Sequence, residues 1–211
     1  MLFTDRFDAA FKLMHCLKNY THQEGVVYAV PGGGVPIGFY LSKDYNFPME
    51  LLLIKNIRHP ESSQFSIGAV SLDDYFVDKK SKVSDSYVKL QVAQIRKNLK
   101  ERQKQFIDGH KESSVKNKIV FIVDDGAVTG NTLLSAIQVI RAKGPKKIVV
   151  AIPVAPEQTI TMLQKYADDV ICFHTLKNLT PVELNYLNYP RVSDNQISQL
   201  FKSASNSTYL A

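Results

Sequence analysis

The sequence predicts an α/β fold built on a parallel sheet. Short apolar runs at 26–30, 49–54, 119–123, 148–153 and 170–173 have the length of strands, and the unbroken run Ile119-Val120-Phe121-Ile122-Val123 suits one buried on both faces. Helical patterns lie between most of them. Glycine or proline loops follow several runs, which gathers ligand-binding groups at the carboxyl edge of such a sheet.

At 211 residues the chain suits one α/β domain and can bury roughly 70% of its unfolded surface. No apolar run approaches the ~20 residues of a membrane span, and Asp5, Arg6, Asp8 and Lys12 interrupt the first segment, unlike a signal peptide. No membrane role and a cytoplasmic location are therefore expected. Cys16 and Cys172 have no metal-ligand spacing and read as reduced thiols. The formal charge of +6 suits an anionic ligand. Nucleic acid is disfavoured as a partner, because no RNA-binding signature accompanies the charge.

Taken in order, residues 3–20 read as an amphipathic packing helix capped by Thr4 or Asp5, with Phe7, Ala10, Phe11, Met14 and Leu17 as its apolar stripe. The strand at 26–30 runs into Pro31-Gly32-Gly33-Gly34-Val35-Pro36, and a helix follows to about Asp44. A backbone freed by glycine there can approach a polyphosphate closely, although a plain tight turn has the same composition. A polar, Pro-bearing connection around Lys55, Arg58 and His59 reads as a mobile loop between strands. Residues 71–82 read as a hairpin ending in a lysine-rich turn at 79–82. A long helix, capped by Ser84 or Asp85, runs to about Ile107, with Val88, Val92, Ile95, Leu99 and Phe106 on its buried face. The terminal helix starts near Ser193 and runs to about Lys202, with fraying from Ser203.

The chemistry centres on the strand at 119–123 and the loop after it. Asp124 and Asp125 stand at the strand end. Gly126-Ala127-Val128-Thr129-Gly130-Asn131-Thr132 forms a loop that opens a helix. Such a loop turns backbone N–H groups toward an anion, and the helix adds its free N-terminal donors and positive dipole end. Carboxylates beside a phosphate site make sense if the ligand also carries hydroxyls, or if Mg²⁺ lies nearby. A sugar phosphate has both features. A strand-turn-helix with an incidental acidic pair is the alternative. A Walker-type loop fits less well, since no Gly-Lys-Ser/Thr follows the strand.

This segment resembles the signature of type I phosphoribosyltransferases: a hydrophobic strand, two acidic residues, then a short loop ending Thr-Gly-x-Thr. Residues 26–38 and 54–70 are similar, more loosely, to a family of stand-alone bacterial phosphoribosyltransferases. The resemblance implies a central, mostly parallel sheet flanked by helices, with a small hood. It implies one domain over 1–211, with a hood or flexible loop at about 55–83 and a C-terminal extension at about 174–211. The implied ligand is phosphoribosyl pyrophosphate (PRPP) with Mg²⁺, the acceptor a nitrogenous small molecule such as a nucleobase, and the assembly a homodimer. Asp124 and Asp125 would hold the ribose hydroxyls, and the metal only indirectly through ribose or water. Residues 126–132 would cradle the 5′-phosphate; Gly32, Gly33, Gly34, Lys55 and Arg58 would meet the pyrophosphate.

The sequence departs from that family where Gly32 replaces its usual Arg, and where Asn56, Arg58 and Gln64 replace Lys, Gly and Glu. Restoring the cation with Gly32→Arg is expected to tighten pyrophosphate binding. Three functions stay open: a phosphoribosyltransferase, a non-catalytic PRPP-binding sensor or regulator, and another phosphate-handling enzyme such as a hydrolase. Cys172 reads as a buried thiol rather than a nucleophile. Tyr186 and Tyr189 read as covering the sheet edge rather than stacking on a base.

Overall fold

The computed structural model of the chain describes residues 1–78 and 81–205. In chain order its elements are α1 (Arg6–Cys16), β1 (Gly25–Ala29), α2 (Gly34–Tyr45), β2 (Met49–Leu51), β3 (Lys55–His59), β4 (Ser62–Val70), β5 (Tyr75–Val77), α3 (Asp85–Ile107), β6 (Ile119–Val123), α4 (Asn131–Ala142), β7 (Lys147–Pro156), α5 (Glu157–Leu163), β8 (Asp169–Leu176) and α6 (Asp194–Ser205). Short 3₁₀ turns lie at Lys18–Tyr20 and Val182–Asn185.

The central sheet has the order β2-β1-β6-β7-β8, and every pairing in it is parallel. Strands β1 and β6 are buried at every residue, as their unbroken apolar runs require. Strand β6 is central, flanked by β1 in the register Val27↔Phe121 and by β7 in the register Phe121↔Val149. Helices α1 and α2 close one face around Leu13, Leu17, Ile37, Leu41 and Phe121. Helix α4 closes the other through Leu133, Ala136, Ile137 and Ile140.

Strands β3, β4 and β5 form a separate antiparallel sheet, the hood, which packs on α3 and α4. Here the structure corrects the sequence reading of a mobile loop. Lys55, Arg58 and His59 belong to a paired strand, with Lys55 opposite Val70 and a bulge near Arg58. Ile57 and Ile67 of this hairpin are buried, and that anchors it to the core. The segment 71–77 forms the expected hairpin, with β5 pairing to β4. Lys79 and Lys80 of the expected turn, and the tail from residue 206, lie outside the described residues. Ser203 to Ser205, expected to fray, belong to α6.

A second correction concerns α1. Asp5 caps it by accepting the N–H of Asp8. Its buried face is Arg6, Ala9, Ala10 and Leu13, while Phe7 and Phe11 are 54% and 52% exposed. The large aromatics drew the expected stripe toward themselves. The small residues face the sheet because α1 lies close against α2, and the Phe7 ring instead meets Tyr40 edge-on at 4.8 Å. Among the described residues, no helix is long and apolar enough to cross a membrane.

Candidate functional site

The adjacent strands β1 and β6 each deliver a loop and a helix N terminus to the carboxyl edge of the sheet. Neither α2 nor α4 has a side chain capping its N terminus. Both therefore turn the positive end of a helix dipole toward the same edge; at α2 the Val35 N–H is bonded to the Gly32 carbonyl at 3.2 Å and Pro36 has no N–H, which leaves the Gly33 and Gly34 amides as its donors. Asp124 and Asp125 follow β6 directly, and the first of the two loops packs against them.

The glycine loop after β1 is shaped by this acidic pair. A Cβ on Gly33 would overlap the Asp125 carboxylate, and one on Gly34 would sit 2.7 Å from the Val123 carbonyl oxygen and 3.1 Å from Asp124 Oδ1. The missing side chains let two backbones approach, and the carboxylates fill the space. Gly32 adopts φ +114°, a conformation in which any L side chain is strained. The Cβ direction there is open, so backbone strain alone opposes the arginine that the sequence reading would restore.

The loop after β6 is clamped from below. Gly126 has φ +153°, and a Cβ there would run into Val182 and Val154; Gly130 has φ +71°, and a Cβ there would run into Thr159 and Met162. The Thr159 hydroxyl donates to the Val128 carbonyl at 2.5 Å. The Ala127 N–H donates to the Val154 carbonyl at 3.0 Å. That amide is therefore committed to β7 and is not free for a phosphate, contrary to the expectation for Ala127. Thr129, Asn131 and Thr132 are exposed, and the Gly130 carbonyl accepts the first helical bond, from Leu134, at 2.8 Å. The anion-binding capacity of this loop therefore lies in its second half and in the first turn of α4.

The two carboxylates have different surroundings. Asp125 Oδ2 accepts from Arg6 Nε at 2.8 Å, and both side chains are under 10% exposed. Arg6 Nη1 donates to the Pro190 carbonyl at 2.7 Å, and its guanidinium lies 3.9 Å from the centre of the Tyr189 ring. The Tyr186 hydroxyl donates to the Asp125 carbonyl at 2.6 Å. Burial, and then the Asp125 charge, push the Tyr186 and Tyr189 hydroxyls well up, so both stay protonated donors. Asp124 is half-buried, and its Oδ1 accepts the Asp125 N–H at 2.9 Å. Burial first, and the neighbouring Asp125 charge second, raise its carboxyl well above the usual range.

Arg6 escaped the sequence reading because it lies 119 residues from its partner. One signal did exist: Arg6 stands in helical phase with Ala9, Ala10 and Leu13, at the head of the buried stripe. Tyr186 and Tyr189 cover the strand end, as expected, and also bind it. Lys55 and Arg58 stand exposed on the hood strand β3. Among the described residues, neither side chain bonds to the acidic pair or to the glycine loops. The Arg58 carbonyl accepts from Tyr87 at 2.9 Å, which ties this part of the hood to α3.

Among the described residues no three His, Cys, Asp or Glu side chains gather as a metal cage. Mg²⁺ commonly keeps several waters and takes one or two carboxylates together with ligand phosphates. Asp124 fits that limited role. Asp125 fits it poorly, because Oδ2 is already bonded to Arg6.

A family model described as the phosphoribosyl transferase domain matches residues 7–186. Rv0571c of Mycobacterium tuberculosis (strain ATCC 25618 / H37Rv), which carries a provisional phosphoribosyl transferase name, is 32% identical over 201 residues. The match covers 93% of this chain and 45% of that protein, so the chain spans about half the length of the curated relatives it matches. The crystal structure of TT1426 from Thermus thermophilus superposes with a TM-score of 0.90 at 25% identity, over 96% of this chain and 99% of that one. The AQ2163 protein from Aquifex aeolicus shares the fold alone, with a TM-score of 0.51 at 13% identity, over 93% and 84% of the two chains. With its parallel sheet, its hood and a family match across most of its length, the chain belongs to the phosphoribosyl transferase domain family, in the type I architecture.

Proposed function

We propose that the protein moves the ribose 5-phosphate of PRPP onto a small nitrogenous acceptor, of the nucleobase class, and releases pyrophosphate. One observation carries this reading: two helix N termini without side-chain caps, on neighbouring strands, flank a pair of carboxylates. PRPP has the matching pattern, an anion at each end and hydroxyls between. In this reading residues 129–132 and the first turn of α4 hold the 5′-phosphate. The Gly32–Gly34 backbone and the start of α2 hold the pyrophosphate, with Lys55 and Arg58 as hood cations nearby.

The reaction breaks the bond from the anomeric carbon to pyrophosphate through a state with oxocarbenium character. Asp124 would hold Mg²⁺, directly or through ribose or water, and the ion would supply charge neutralisation of the leaving group. Backbone donors at the start of α2 stabilise the same departing oxygens. Asp124 orients the sugar hydroxyls, and the negative field of the acidic pair favours positive charge on the ring. Holding donor and acceptor together supplies the proximity contribution. The unit is one domain over 1–211, with the hood at about 55–83 and the extension at about 174–211; a cytoplasmic homodimer is the assembly proposed.

The test is thermal stability with Mg²⁺, with and without PRPP. Ligand at ~100 times its dissociation constant stabilises the native state by roughly 2.7 kcal/mol, a midpoint rise of about 5–10 °C for a domain of this size. A Mg²⁺-dependent rise that ribose 5-phosphate reproduces only partly supports the reading; no rise with PRPP overturns it. The glycine at position 32, where a cation is expected, favours a second reading, a PRPP-binding regulator. Pyrophosphate release that needs an acceptor selects the enzyme. Binding without turnover across a nucleobase panel selects the regulator, and release without any acceptor selects a hydrolase.

A further inference from the structure

Asp125 is enclosed from three directions by elements far apart in sequence. Arg6, in the first turn of α1, bonds its Oδ2 at 2.8 Å. The C-terminal segment bonds its main-chain carbonyl through Tyr186 at 2.6 Å. It also holds Arg6 in place, through the Pro190 carbonyl at 2.7 Å and the Tyr189 ring at 3.9 Å. Gly33, at the start of α2, leaves its side-chain space to the Asp125 carboxylate. With its side chain 8% exposed, Asp125 has little surface left for a ligand. Asp124 is half-buried and, among the described residues, is in no ion pair.

We infer that Arg6 is a positioning residue for the sugar site: Arg6 and the 186–190 segment hold Asp125 as a fixed support, and Asp124 is the carboxylate that meets the ribose hydroxyls. This inference rests on the PRPP reading of the site. It divides the labour of the pair unequally and makes α1 and the 186–190 segment part of the reaction centre. A guanidinium is needed because its planar fork serves two acceptors at once, the Asp125 carboxylate and the Pro190 carbonyl, while its face stacks on Tyr189. Lysine carries the same charge on a flexible stem and cannot reproduce that geometry. In Arg6→Lys the Asp125 carboxylate loses its fixed direction beside Asp124, and the 186–190 segment loses the guanidinium that joins it to the pair.

The experiment titrates PRPP with Mg²⁺, and separately inorganic phosphate, into the full chain by calorimetry. Wild type, Arg6→Lys and Asp124→Asn are compared, and urea unfolding gives the stability of each. Inorganic phosphate reads residues 129–132 and the start of α4 without the sugar. Arg6→Lys is expected to weaken PRPP about tenfold, the scale of one hydrogen bond to a charged group, with phosphate affinity unchanged. Asp124→Asn is expected to weaken PRPP at least about tenfold, with phosphate affinity and folding preserved. If wild type binds PRPP and Arg6→Lys only unfolds more easily, with PRPP affinity intact, Arg6 is structural and the inference fails. Wild-type PRPP affinity in Asp124→Asn also overturns it; if Arg6→Lys does not fold, Tyr189→Leu, which removes the ring stacked on Arg6, takes its place, and unchanged PRPP affinity in that variant overturns the inference. A wild type that binds phosphate but not PRPP refutes the PRPP reading itself, and the division of labour falls with it.

Discussion

Replacing Gly33 with alanine should change stability in opposite directions depending on one side chain 92 positions away in the sequence. Gly33 has φ −64° and ψ −27°, angles that alanine adopts freely. Considered by itself, alanine would restrict the unfolded chain and stabilise the protein by about 0.4–1 kcal/mol. The Cβ, however, would overlap the Asp125 carboxylate, and Arg6 and Tyr186 prevent that group from moving aside. Overpacking of a rigid neighbour costs about 1–3 kcal/mol, so the net effect in the wild type is a loss of about 1–2 kcal/mol. In an Arg6→Met/Asp125→Ala background the obstacle is gone and no buried charge is left without its partner. There Gly33→Ala should stabilise, by about 0.4–1 kcal/mol. Urea unfolding of the four proteins gives the cycle, provided that the slopes agree. A coupling of about 1.5–3 kcal/mol is expected. Equal effects of the same sign in both backgrounds would refute the packing argument, and with it the view that the glycine loop is shaped by the acidic pair.

Further outcomes can be stated more briefly. Burial and the Asp125 charge raise the Asp124 carboxyl, so the stability tied to its protonated form is fully present below the unfolded value of about 3.8 and is lost as pH rises through the folded value. Asp124→Asn should therefore raise the urea midpoint at pH 7, with the difference from wild type vanishing near pH 3; a lower midpoint at pH 7 would contradict this. Gly32→Arg places a side chain at φ +114° and should cost about 1–3 kcal/mol without tightening pyrophosphate binding, as read by melting and calorimetry. Tighter binding at an unchanged melting temperature would restore the expectation drawn from sequence. Cys16 is exposed, while burial pushes the half-buried Cys172 thiol up to about 11 and its Sγ bonds the His174 carbonyl at 3.2 Å. Native protein at pH 8 should therefore label quickly at Cys16 alone, and at both positions in urea. The share of stability held by the protonated Cys172 thiol should fade between pH 9 and 11.

Much of this architecture is legible in the chain itself, because the signals are local. Five buried residues in β6, an acidic pair and a Gly-Thr loop opening a helix lie consecutively, and short-range sterics convert that order into strand, edge and helix N terminus. The long helix α3 was equally plain, because its buried residues repeat at helical spacing and Ser84 accepts the Tyr87 N–H at its start. The hairpin of the hood was harder. Its polar, proline-bearing sequence looks like a loop, and only the burial of Ile57 and Ile67 against α3 and its neighbours pins it as paired strands.

The unequal fates of Asp124 and Asp125 could not be read from adjacent, identical letters. They depend on Arg6 and Tyr186, which lie 119 and 61 residues from Asp125 in the sequence. The commitment of the Ala127 amide to β7, the reason for glycine at position 33 and the strained backbone at position 32 are of the same kind. A sequence records which groups exist and how they repeat along the chain, and that determines the elements and the edge where the chemistry gathers. Whether a donor is spent or free, and whether a carboxylate supports the site or serves it, depends on contacts across the whole fold, such as those that Arg6 and Tyr186 make at the end of β6.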